Sequence, residues 1–289
     1  MTLTLRFWGT RGSVPSPGAG TVRYGGNTPC VEVRTGDGGL LIFDAGTGIR
    51  ALGRELSAQA KGAAIDADIF LSHAHWDHIQ GLPYFPPLFA RGNRLTFWST
   101  TQLMPAVDRA LHDQMAPAVF PVPLDEVGAT VAFRALGDTH KGDGYLLRAH
   151  PVRHPGGALA YRVSAMTELS RALVYVSDNE LGEAPGYPMR AGWRDELVAF
   201  LRGAALLVHD AMYTPAEYES HRGWGHSHFL DTVALAADAE VERLALFHHA
   251  PERSDAEVDA LVEQCRAEVK RRGVRLEVIG AAEGLVLTV

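Results

Sequence analysis

The sequence predicts an α/β fold in which two β-sheets pack face to face and helices cover their outer sides. Three observations carry this expectation. Short apolar, β-leaning runs recur through both halves of the chain, with helical stretches between them. Nothing in the 289 residues reads as a linker or a short-period repeat, so one domain spanning residues 1–289 is expected. The apolar fraction of 46% supports a sizeable core and argues against disorder.

The first half reads as follows. Leu3 to Trp8 alternates as a strand does, and Gly9 to Gly18 is a loop dense in glycine and proline. Tyr24 to Thr28 is a second loop. Pro29–Arg34 and Leu40–Asp44 form a hairpin around Gly36-Asp37-Gly38-Gly39. A helix covers Ile49 to Gln59. Asp44 reads equally as its cap and as a hydrogen-bond partner for a metal-binding loop further on. Ala67–Leu71 is a buried strand, and a short helix and an apolar wall run on to Phe89. A strand at Leu95–Trp98, a helix at Thr101–Gln114 and a proline-rich flap at Ala116–Pro123 complete this half.

In the second half, strands at Thr130–Leu136 and Gly144–Arg153 flank a turn-rich loop, Gly137–Asp143. Further strands fall near Leu159–Val163, Leu173–Ser177, Ala205–Val208, Arg243–Phe247, Arg275–Ile279 and Leu285–Val289. Helices fall near Gly192–Arg202, Pro215–Ser220, Phe229–Ala239 and Asp255–Arg271.

Composition narrows the function. A net charge of −7 argues against a broad nucleic-acid-binding surface. The two cysteines, Cys30 and Cys265, form no CxxC pair, which points to a reducing compartment and no thiolate metal site. No run of about 18 apolar residues exists to span a bilayer. The first residues lack a basic region followed by an apolar one, so no signal peptide is read and a cytoplasmic protein is expected.

The chemistry concentrates at Leu71-Ser72-His73-Ala74-His75-Trp76-Asp77-His78. A strand runs straight into four metal-binding side chains. In an extended chain, residues two apart point the same way, so His73 and His75 can grip one ion together. Once the chain turns into a helix, Asp77 and His78 project in a new direction and can serve a second ion. Imidazole and carboxylate together suit zinc, manganese or iron. Three further donors sit at strand ends: His154, Asp178 and His248. A carboxylate can bridge two ions, and Asp178 is the choice for that role.

The pattern His73-Ala74-His75-Trp76-Asp77-His78 resembles the HxHxDH signature of the metallo-β-lactamase superfamily. The later landmarks are similar to its ribonuclease Z-like branch, which includes several phosphodiesterases. These are His154 before Ala160-Tyr161-Arg162, then Tyr175-Val176-Ser177-Asp178, His209-Asp210-Ala211, Gly225-His226-Ser227 and Leu246-Phe247-His248. Gly9-Thr10-Arg11-Gly12-Ser13-Val14-Pro15 looks like that branch's opening loop. The resemblance implies a four-layer αββα sandwich of two mixed β-sheets with outer helices, the site lying at one edge between the sheets. It implies that His73, His75 and His154 hold one metal, that Asp77, His78 and His248 hold another, and that Asp178 bridges. It also pairs Asp210 with His226. A carboxylate fixing one imidazole nitrogen lets the other donate a proton, so His226 is the expected general acid. Capping of the helix near Ser227 is the competing role for His226.

Two departures matter. His228 stands where that branch usually has threonine, and an extended arm of the kind many tRNA-processing members use is not evident. The expectation is therefore a dinuclear metal-dependent hydrolase, foremost a phosphodiesterase, in which Asp77, Asp210 and His226 are catalytic. Its cofactors would be two divalent ions, zinc first and manganese or iron otherwise. Its substrate would be a small phosphodiester or RNA-like molecule, and a homodimer is left open. An ester, thioester or lactone hydrolase on the same site is the alternative, and a non-catalytic metal-binding protein is a third reading. The remaining residues receive plainer expectations. His112, His140, His150, His209 and His221 are structural or exposed, and His249 lies at the surface or behind the ligands. Arg11, Asn27 and Thr28 either line a substrate pocket or form an ordinary turn. Trp224 packs in the core rather than stacking on a base.

Overall fold

The two halves of the chain build two sheets by one pairing plan. The structure, a computed structural model, describes residues 2–185 and 190–289. Strands β1 (Thr4–Gly9), β2 (Cys30–Arg34) and β3 (Leu40–Phe43) are antiparallel neighbours. Strands β4 (Asp66–Phe70), β5 (Arg94–Thr100) and β6 (Thr130–Leu136) then add in parallel. Helices α1 (Gly48–Ala60), α2 (Trp76–Ile79), α3 (Pro86–Phe89) and α4 (Met104–Gln114) fall among these strands. The second sheet repeats the plan. Strands β7 (His140–Gly142), β8 (Tyr145–Val152), β9 (Ala158–Ala165) and β10 (Ala172–Val176) are antiparallel. Strands β11 (Leu206–Asp210), β12 (Arg243–Phe247) and β13 (Glu277–Gly280) follow in parallel. Helices α5 (Trp193–Leu201), α6 (Pro215–Ser220), α7 (Phe229–Asp238) and α8 (Asp255–Arg272) belong to this half. Strand β14 (Val286–Thr288) crosses back and pairs with β1, giving two mixed seven-stranded sheets.

Period-two alternation divides the apolar residues between layers. On β10, Leu173 and Tyr175 face the space between the sheets, while Val174 and Val176 face outward toward α5, α7 and α8. On β3, Phe43 faces in and Ile42 faces α1. The layers are therefore helix, sheet, sheet, helix. The inner layer centres on aromatic rings: Phe43 lies 5.4 Å from Tyr175 and 5.6 Å from Tyr161, and Tyr175 lies 5.6 Å from Phe247. Truncating such a ring costs about 3–5 kcal/mol. The helices carry their own start and stop signals. Ser254 and Glu257 form a capping box on α8, and Gly273 ends it in the left-handed region.

One feature departs from the sequence reading, and one open alternative is decided. The turn-rich loop 137–143 contains strand β7, which is only three residues long and sits at a sheet edge. Of the two roles open to Arg11, Asn27 and Thr28, all three take the structural one, and Asn27 also borders a surface cavity of about 270 Å³. Arg11 is fully buried. Its guanidinium donates to Gly25 O at 3.2 and 2.8 Å, to Ala250 O at 3.0 Å and to Arg253 O at 2.8 Å. It thus ties the opening loop to two distant segments. Asn27 donates to Glu283 at 2.9 Å through its side chain, and Thr28 exchanges hydrogen bonds with Thr47 at 2.8 and 2.9 Å.

Replacing Arg11 by Met keeps the bulk and removes every donor. Orphaning buried carbonyls costs about 1–3 kcal/mol each, so Arg11→Met should lower stability by about 3 kcal/mol. The measurement is the denaturant midpoint, expected to fall with the slope unchanged. A midpoint equal to the wild type would show that the clamp carries no stability.

Candidate metal centre

The loop after β4 stays extended through His75 and becomes helical at Trp76. That change of direction is the one expected from the sequence, and it turns His73 and His75 one way and Asp77 and His78 another. His154 follows β8, Asp178 follows β10 and His248 follows β12. The structure brings these seven side chains together. His73, His75 and His154 form one triad and Asp77, His78 and His248 a second, the donor atoms of each lying within 4.8 Å of one another. Asp178 stands between the triads. Its Oδ2 is 3.7 Å from both His73 Nε2 and His154 Nε2, and its Oδ1 is 3.2 Å from His78 Nε2 and 3.3 Å from His248 Nε2. All are buried except His75, which is exposed and opens the site to solvent.

Partners behind the imidazoles decide which nitrogen faces inward. The carboxylate of Asp44 accepts from Ser72 N at 2.7 Å, Ser72 Oγ at 2.9 Å, Tyr175 Oη at 2.8 Å and His78 Nδ1 at 2.8 Å. Ser72 Oγ, having given its proton to Asp44, accepts from His73 Nδ1 at 3.0 Å. His154 Nδ1 donates to Gly225 O at 2.9 Å. An acceptor on Nδ1 requires a proton there, so His73, His78 and His154 all turn Nε2 inward, that of His154 lying 2.9 Å from His75 Nδ1. Asp44 is therefore the loop's partner and not a cap; Thr47 occupies the N-cap of α1.

The donor set fits a cation. His73 Nε2, His78 Nε2 and Asp178 Oδ1 are buried without a hydrogen-bond partner, and they face one another. Burial without a partner is costly for such atoms. Nitrogen and oxygen donors with no thiolate suit zinc, manganese or iron. The charges agree. Burial alone would raise the carboxyl of Asp178, but His248, His78 and His73 hold it well below the usual range. Burial opposes protonation of His78, yet Asp77, Asp178 and Asp44 hold it well above its ordinary value. Burial pushes His154 down to about 4.

Beside the triads, Asp210 Oδ2 accepts from His226 Nδ1 at 2.8 Å, leaving Nε2 to donate. Burial pulls the His226 imidazole down, but the charge and hydrogen bond of Asp210 outweigh it and raise it to about 9. His226 does not cap the following helix. His228 does, its Nδ1 accepting from Asp231 N at 3.3 Å.

Several participants were not legible in the sequence. Ser13 N donates to Asp77 Oδ2 at 2.8 Å, and a side chain at Gly12 would collide with the ring of His248. A Cβ at Gly225 would fall 2.1 Å from His154 Nδ1, so only glycine fits there. Of the plainer expectations, one fails and one open alternative is decided. Trp224 is 62% exposed rather than core, because Gly223 and Gly225 turn the loop outward in the left-handed region. Of the two places open to His249 it takes the buried one, its Nε2 donating to Ala281 O at 2.9 Å. Size does not mark the site. A crevice of about 170 Å³ beside His73 and His75 is lined by Leu103, Val107 and Pro155. A larger cavity of about 540 Å³ lies far away, between the end of α7 and β13.

Residues 40–249 match the family described as the beta-lactamase superfamily domain. A ribonuclease Z of Haloferax volcanii is 27% identical, over 96% of this chain and 96% of that protein. Two solved structures share the fold. The metallo-beta-lactamase fold protein YhfI of Bacillus subtilis has a TM-score of 0.69 at 19% identity and covers all of both chains. A diphosphatase from the PhnP family has a TM-score of 0.65 at 20% identity, over 99% of this chain and 97% of that one.

The role of Asp44 can be tested through metal affinity alone. In Asp44→Asn the new amide N–H₂ would face donors that now meet a carboxylate oxygen. Loss of such outer support typically weakens metal binding about 10–100-fold. Competition against a chromophoric chelator should read that loss, and an unchanged affinity would show that Asp44 does not orient the imidazoles.

Proposed function

The chain belongs to the beta-lactamase superfamily, and from that membership we propose that it is a metal-dependent phosphodiester hydrolase with a dinuclear centre. One observation carries the reading: two donor triads flank a single carboxylate, and a carboxylate-held imidazole stands beside them. His73, His75 and His154 would hold one cation and Asp77, His78 and His248 the other, with Asp178 shared. Bound there, two divalent ions, zinc foremost, would supply Lewis acidity at the phosphoryl oxygens and lower the pKa of water enough to make it a nucleophile.

The chain's own groups do the rest. Asp178 has one oxygen toward each triad, which supports a bridging role. Ser13 N fixes Asp77 by donating to its Oδ2 at 2.8 Å. Asp210 holds the proton of His226 Nδ1 and raises the imidazole's affinity for a second proton. At neutral pH His226 can therefore give a proton from Nε2 to a departing alkoxide. The match to a ribonuclease Z over nearly the whole chain favours phosphodiesters, RNA-like or small. Hydrolysis of esters, thioesters or lactones would use the same first steps, but a thiolate leaving group has little need of the Asp210–His226 pair.

A panel of bis-p-nitrophenyl phosphate, a dinucleotide, a lactone and a thioester separates these chemistries. Turnover confined to the lactone or thioester would overturn the proposal. Asp77→Ala and Asp178→Ala should abolish phosphodiester cleavage, and full activity in Asp178→Ala would refute the shared carboxylate. His226→Ala should lower kcat on the dinucleotide by about 10²–10⁴-fold while sparing metal content. The sign for Asp210 follows from its effect on His226. The carboxylate raises the imidazole, so Asp210→Asn should move the alkaline limb of the kcat profile to lower pH. A limb that stays in place would exclude His226 as the acid.

A further inference from the structure

Glu180 lies two residues beyond Asp178 and is fully buried. It is not a member of either donor triad. Its Oε1 accepts from Tyr218 Oη at 2.7 Å and from Gly223 N at 2.8 Å, and its Oε2 accepts from Gly225 N at 2.8 Å. The carboxylate thus spans the short loop Gly223-Trp224-Gly225 from beneath. That loop has two duties at the site. Gly225 O takes the Nδ1 proton of His154, and the next residue is His226. Flanking bonds run between the same two segments: Ser227 Oγ donates to Asn179 O at 2.5 Å and accepts from Leu181 N at 3.2 Å.

The segment's own backbone supplies one tie at this turn, Trp224 N donating to His221 O at 3.1 Å. Gly223 and Gly225 sit at φ 90° and 92°, a region open to many alternatives for glycine. Two flexible residues flanking an exposed indole need an external tie to keep one conformation. The carboxylate of Glu180 supplies acceptors where the loop offers buried N–H donors, and it is anchored on the strand end that carries Asp178. We propose that Glu180 is a positioning residue: it registers the loop bearing His226 against the shared carboxylate and keeps His154 turned with Nε2 inward. This rests on the reading of His226 as the proton donor in phosphodiester cleavage.

Glu180→Gln tests it without changing volume. A carboxamide has one acceptor oxygen and one N–H₂, so it must turn a donor toward either Gly225 N or the Tyr218–Gly223 pair. Release of the loop should expose the Arg222–Gly223 bond. Trypsin cleavage there should speed up roughly tenfold or more, followed by mass spectrometry on the metal-loaded protein. Misplacing the acid should also matter most where the leaving group needs a proton. The kcat on a dinucleotide should fall roughly tenfold or more, while that on bis-p-nitrophenyl phosphate falls far less. Tyr218→Phe removes one donor from outside the site and should shift both readouts the same way by a smaller factor, which keeps the test open if the buried carboxamide prevents folding. Wild-type resistance at Arg222 in both variants, or equal loss on the two esters, would overturn the proposal. If the wild type cleaved neither ester, the phosphodiesterase reading would fail, and the proteolysis would still decide whether Glu180 holds the loop.

Discussion

One buried carboxylate joins the core to the chemistry. Asp44 ends the third strand at φ 59°, a left-handed conformation that a non-glycine residue adopts at some cost. Four donors repay the strain by converging on it: Ser72 twice, His78 and Tyr175. Tyr175 comes from the opposite sheet and lies in the aromatic layer between the sheets. Tyr161, also from that sheet, reaches across to Leu71 O at 2.6 Å. The His-rich loop is therefore bolted to the inter-sheet core, and its imidazoles cannot reorient without disturbing the packing beneath them. Preorganisation of this kind lets four side chains within six residues act as fixed donors rather than as a mobile polar loop.

The pairing plan brings the distant donors to the same place. Strands β10, β11 and β12 run parallel, so Asp178, Asp210 and His248 emerge at one edge. Strand β8 is two antiparallel steps from β10 and runs in the same direction, which adds His154. The loop after β4 meets them from the facing sheet. The site thus needs both sheets, and the opening loop closes it from the side through Ser13 and Gly12.

This geometry also explains what the sequence could reveal. A donor at a strand end is legible because the strand itself is legible, and the alternation of His73 and His75 before a helix start encodes two directions. The backs of those donors are less visible. Glu180, Ser72 and Gly225 act through backbone atoms or across long sequence separations, and nothing in a single residue's type announces that. Arg11 stayed ambiguous for a related reason: a cation in a glycine-rich loop resembles a phosphate ligand, but here backbone carbonyls from two segments, Gly25 and Ala250–Arg253, consume its donors. Trp224 misled because its exposure is set by the glycines on either side, not by its own hydrophobicity. Strand β7 was hidden by its length and edge position, and the return of β14 to the first sheet is a property of topology that local pattern cannot carry.

The same carboxylates that organise the centre also set the charge it has to balance. Asp44, Asp77, Asp178 and Asp210 are all buried at one edge of the fold, and buried negative charge is costly unless matched. Neutral imidazoles alone cannot match it. Protons on His78 and His226 can, and both groups are raised for that reason. Divalent cations would do so at the inward nitrogens. At His78 the two solutions exclude each other, since a cation on Nε2 displaces the proton from the same lone pair. At His226 they need not, because its Nδ1 is committed to Asp210 outside the triads. Metal capture at this edge would therefore be coupled to proton release from the triads, while the proton on His226 could survive loading and remain available for transfer.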